Sequence, residues 1–171
     1  MNGSSLIVFL VLALFTPVGK PCAGASIQES SPAAQVSGPP RVANLIDLSM
    51  VEGCGCYFQL PAESKSRTKY IFFSKINGGG DNEKVAWMNI DGRDIKLKLV
   101  GSSEDSTRRE AGMRLSRRYK ADDIYVQADY VVTRVCPPSD PACEETLYQA
   151  TFTVSRGAHR QIVKAKGSCG C

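Results

Sequence analysis

The chain has 171 residues, 21 of them Lys or Arg and 17 Asp or Glu, for a formal net charge of +4. That excess is too small for the strong positive field of a nucleic-acid binder, and 43% hydrophobic residues is far from the composition of a disordered chain. One histidine and seven cysteines leave little material for histidine-based catalysis and make the sulfurs the first chemical question.

Residues 1–25 read as a secretory signal peptide. The apolar run from Leu6 to Phe15 is shorter than the roughly 20 residues a spanning helix needs. It is followed by Pro17 and Gly19 and then by Ala23-Gly24-Ala25, an A-x-A cleavage pattern that places the first mature residue at Ser26. Cleavage removes Cys22 and Lys20, leaving six cysteines, a net charge of +3 and no segment able to span a membrane as a helix. An even cysteine count in an exported chain implies disulfides and a secreted or periplasmic location. Residues 26–40, SIQESSPAAQVSGPP, have almost no large apolar side chain to offset ordering entropy and read as a flexible lead-in. Residues 41–171 remain as a single β domain.

From Arg41 onward period-two alternation dominates, and no helical period is sustained. Strands are expected at 42–50, 53–60, 68–75, 85–90, 95–100, 113–120, 124–135, 148–155 and 160–166. Asp91-Gly92 is a strong two-residue hairpin signal, because both central positions of such a turn take positive φ. Arg156-Gly157 is expected to turn the chain into the last strand. Asn77 to Asn82 and Gly101 to Gly112 read as loops. The fold expected is all-β, a small antiparallel barrel or two-sheet sandwich of about eight strands stapled by disulfides.

The motif Cys-Gly-Cys occurs at Cys54 to Cys56 and again at Cys169 to Cys171. Residues two apart on a strand face the same side, so each motif presents its two sulfurs together. If the first core strand pairs antiparallel with the last, Cys54 faces Cys171 and Cys56 faces Cys169, within the Cα separation a disulfide tolerates. Two alternatives use the same sulfurs. A ring joining Cys54 directly to Cys56 would be strained and redox-active, and four thiolates would hold Zn or Cu. One residue between paired cysteines is a weaker zinc signal than two to four. Cys136 and Cys143 flank a loop with three prolines between alternating strands, which fits a local disulfide.

Other polar groups read as structural. His159 lies in an expected turn, and Asp91 with Asp94 and Asp122-Asp123 lie in turn-like text where aspartate bonds its own backbone. Arg108, Arg109, Arg114, Arg117, Arg118 and Lys120 concentrate positive charge around one strand. Alternation puts Arg114, Arg118 and Lys120 on one face and Arg117 with Leu115 and Tyr119 on the apolar one. The plain reading is a solvated or aggregation-resistant face; the functional one is a docking stripe of Arg114, Arg117, Arg118 and Lys120 for an anionic partner. The function expected is therefore an exported, non-enzymatic, disulfide-stabilised binding domain without a cofactor. Its partner is an unknown protein or an anionic envelope polymer. A Cys-based metal-binding or thiol-disulfide redox protein is the alternative.

Overall fold

A computed structural model describes residues 38–76, 85–103, 109–137, 139–140 and 142–171. The expected signal peptide, nearly all of the expected lead-in, the 77–82 loop and Arg108 lie outside the described residues. The described strands are β1 (Val42–Ala43), β2 (Gly55–Gln59), β3 (Phe72–Lys75), β4 (Val85–Ile90), β5 (Arg93–Ser102), β6 (Arg114–Ala121), β7 (Ile124–Arg134), β8 (Glu145–Arg156) and β9 (His159–Gly170). Each strand from β2 to β9 pairs antiparallel with the next in sequence, and β9 returns to pair antiparallel with β2. The result is a closed eight-stranded up-and-down barrel with β1 outside the circuit, beside β4. Closure leaves the eight strands no free edge, which resolves the choice between barrel and sandwich.

Alternation directs apolar residues inward and polar ones outward. Along β7, Ile124, Val126, Ala128, Tyr130 and Val132 are buried while Tyr125 and Gln127 are exposed. Phe58, Phe72 and Phe152 meet in the barrel centre with ring centroids 4.8 to 6.0 Å apart, each fully buried. A buried aromatic of this kind is worth roughly 1.5–3 kcal/mol in transfer from water. Polar outside and apolar inside is the reverse of a lipid-embedded barrel, whose outer band is apolar. Among the described residues no helix is long and apolar enough to cross a membrane.

Several expected boundaries are corrected. The 42–50 strand shrinks to Val42–Ala43, because the following N–H groups are taken elsewhere: Leu45 donates to the Tyr70 carbonyl, and Ile46 and Asp47 donate to the Asp94 carboxylate at 2.8 Å. The 68–75 strand begins only at Phe72. The loop expected from Gly101 starts later, since a bulge between Leu99 and Gly101 carries β5 on to Ser102 and leaves Val100 as the extra, exposed residue. β8 runs through Arg156, so the final turn is Gly157-Ala158 and exposed His159 opens β9 opposite Arg156. Asp91-Gly92 turns as expected, with φ of 55° and 77°.

Candidate functional site

The two ends of the barrel differ. At one end lie the tight hairpins at Asp91-Gly92, Asp122-Asp123 and Gly157-Ala158, each linking strands directly. The incoming segment seals this end: Val42 pairs with Ile90 of β4 and donates its N–H to the Gln161 side chain of β9 at 2.7 Å. The aspartates expected in turns hold it there. Asp91 accepts from the Arg41 N–H at 2.9 Å and from Arg156 at 2.6 Å, and Asp94 also accepts from Asn89 at 2.6 Å. Burial pushes the Asp91 carboxyl up, but the bonds from Arg156 and the Arg41 backbone outweigh it and hold the group below its usual range.

At the opposite end β2 begins, β9 finishes, and the six cysteines among the described residues gather. Cys54 is bonded to Cys171 and Cys56 to Cys169, with Cα separations of 4.2 and 4.0 Å across the β2–β9 seam. Cys136 is bonded to Cys143 across the β7–β8 connection. The glycine inside each motif is required by close approach. A side chain on Gly55 would strike the Phe73 ring, and one on Gly170 would strike the Glu144 backbone. The four Cys-Gly-Cys sulfurs are thus bonded in pairs, and a metal would need them reduced; among the described residues no group of three or more His, Cys, Asp or Glu is placed to hold an ion.

The four basic residues singled out on β6 divide between two places. Arg114, Arg118 and Lys120 are exposed on the outer face. The β5–β6 register sets Lys98 directly opposite Lys120, with Lys96 one step along the same face, so five cations form one ridge. Lys120 stands 5.0 Å above the ring of Tyr125, and the Arg118 guanidinium lies against Gly101, where only a missing side chain leaves room. Among the described residues no carboxylate forms an ion pair with any of the five. Asp129 on the neighbouring strand sits opposite Ser116 and accepts from Gln127. Lys96 and Lys98 lie two apart on β5 and share its outer face by alternation; their meeting with β6 depends on register.

Arg117 instead faces inward, as alternation requires, and lines a cavity of about 260 Å3 at the disulfide-bearing mouth. Leu115, Tyr130, Tyr148, Thr146 and the Cys56–Cys169 bridge form most of its wall. Burial, and then the neighbouring Tyr119, push the Tyr130 phenol well above its ordinary value, while Arg117 pulls the other way; the hydroxyl stays neutral. The sequence marked Arg117 as out of place and grouped Arg109 with it, but gave no sign of Tyr130 and Tyr148 beside them.

No protein-family model matches the chain, and no curated protein or solved structure matches it.

Proposed function

We propose that this chain is an exported, non-enzymatic binding domain that docks an anionic polymer on the outer ridge formed by Lys96, Lys98, Arg114, Arg118 and Lys120. The disulfides fit an oxidising compartment outside the cytoplasm. One observation carries the binding assignment: Lys98 and Lys120 stand directly opposed on adjacent strands, and among the described residues neither forms an ion pair with a carboxylate. Like charges in that relation cost stability, and the cost is recovered when a polyanion supplies the counter-charge. The alternating, rigid β surface presents these cations at fixed spacing, which suits a linear polymer better than a point ligand.

Retention on immobilised heparin, used as a generic polyanion, tests the assignment. The triple reversal Arg114→Glu, Arg118→Glu, Lys120→Glu should elute at markedly lower salt than the parent. A control reversal of Lys65, Arg67 and Lys69, on the exposed β2–β3 connection, should elute near the parent. Equal elution of the triple variant and the parent would remove the ridge as a docking surface. Thiol counting by intact mass separates this function from the sulfur-based alternative: a binding domain has all mature cysteines oxidised, and a metal or redox protein shows free thiols or bound metal.

A further inference from the structure

We infer that the mouth of the barrel is a second, separate site, which binds a small organic anion: a carboxylate carried on a compact apolar body such as an aromatic ring or a short acyl chain.

The space arises from the sequence in a definite way. An eight-stranded barrel is just wide enough to be filled by side chains or to hold one small ligand. Deeper in, Phe58, Phe72 and Phe152 fill it. At the mouth one cross-strand row is built only of small residues, Thr146, Cys169, Cys56, Ser74 and Ala86, each directly opposite the next across five strands, and the first three of them line the cavity. Larger groups, Leu115, Arg117 and Tyr130, stand on β6 and β7. One wall is therefore recessed and the other projecting, and the cavity is what lies between. Its volume of about 260 Å3 is just below the range of drug-sized sites, which limits the ligand to a small molecule.

The lining selects the chemistry. Leucine, two tyrosine rings and a disulfide give an apolar body, and Arg109 and Arg117 place two guanidinium groups on its wall. Both arginines already take part in interactions within the chain. A guanidinium carries five N–H donors in a planar fork, so one partner does not exhaust it, and that fork matches a carboxylate in two-point contact. The two seam disulfides fix the recessed wall before any ligand arrives, which removes ordering cost from binding.

Backbone-amide NMR titration of the oxidised full domain with benzoate, hexanoate and benzamide tests the site. Benzoate and hexanoate should shift the amides of Leu115, Arg117, Tyr130 and Thr146 saturably, with Kd below about 1 mM. Neutral benzamide should bind at least about tenfold more weakly, the least expected when a charge-assisted bond is lost. Arg117→Met should lose that same factor for benzoate and leave benzamide unchanged. Thr146→Leu, which fills the recess without touching a cation, should block all three, and the spectrum of each variant reports its fold. The triple ridge reversal should retain benzoate binding, so the two sites fail independently. The site is refuted by absence of saturable shifts at the mouth, by equal binding of benzoate and benzamide, or by full benzoate affinity in a folded Arg117→Met or Thr146→Leu protein.

Discussion

The two seam disulfides should stabilise the domain in a strongly non-additive way. Cys54–Cys171 and Cys56–Cys169 span 117 and 113 residues of sequence. In the chain-entropy model a loop of that length, closed alone, restricts the unfolded chain by about 4.8 kcal/mol at 25 °C. Once one bridge exists, the second closes only the few residues between the paired cysteines, and the same expression gives about 2 kcal/mol. Replacing Cys54 and Cys171 by serine should therefore lower unfolding free energy by about 2 kcal/mol, and so should replacing Cys56 and Cys169. Replacing all four should cost about 6–7 kcal/mol, well above the sum of the two. Urea unfolding followed by fluorescence measures all four proteins, and the slope on denaturant should rise in the variant lacking both seam bridges because its unfolded state expands. Costs near 5 kcal/mol for each pair that simply add would mean that the bridges are not neighbours, and the seam would be wrong.

Asp91→Asn should cost about 2 kcal/mol at neutral pH through the Arg156 bond. Because the folded carboxyl is held below its ordinary value, that contribution is complete above the unfolded value of about 4 and fades as pH falls through the folded one. Urea midpoints of parent and variant should thus converge on acidification, and a constant gap down to pH 2 would contradict the bond. Phe152→Ala, at the meeting of the buried rings, should cost about 3–5 kcal/mol in the same assay, and a loss under 1 kcal/mol would mean the centre is not packed as described. Gly101→Ala meets only the guanidinium end of Arg118, so it should move that cation and lower heparin retention while leaving the urea midpoint nearly unchanged; a large loss of stability would place Arg118 elsewhere.

Much of this molecule was legible because β alternation is a local property. The shared face of the sulfurs in each Cys-Gly-Cys and the inward set of Arg117 follow from which side of a strand a residue occupies, and the Asp91-Gly92 hairpin from the positive φ its two residues take. Barrel and sandwich were not separable, since both show the same alternation on every strand. They differ only in whether each consecutive pair stays bonded, as β4 and β5 do here over six residue pairs. The short β1 was overread because 42–50 has strand-like composition, whereas side-chain acceptors on Asp94 claim its backbone donors. The ridge was half visible: the outward lysines of β5 and the outward cations of β6 sit on separate strands, and only register through the Val100 bulge sets Lys98 against Lys120. The mouth needed still more, because its lining comes from β2, β6, β7, β8 and β9 together.

Non-reducing tryptic mapping of the oxidised protein reads the closure of the barrel directly. Cleavage after Arg41, Lys65 and Lys166 puts Cys54 and Cys56 in one peptide and Cys169 and Cys171 in another. These two peptides should emerge as a single covalent species that separates only on reduction, with Cys136 and Cys143 bridged inside their own peptide and no free thiol. Recovery of the 42–65 and 167–171 peptides apart under oxidising conditions would show that sulfur does not join the first and last barrel strands.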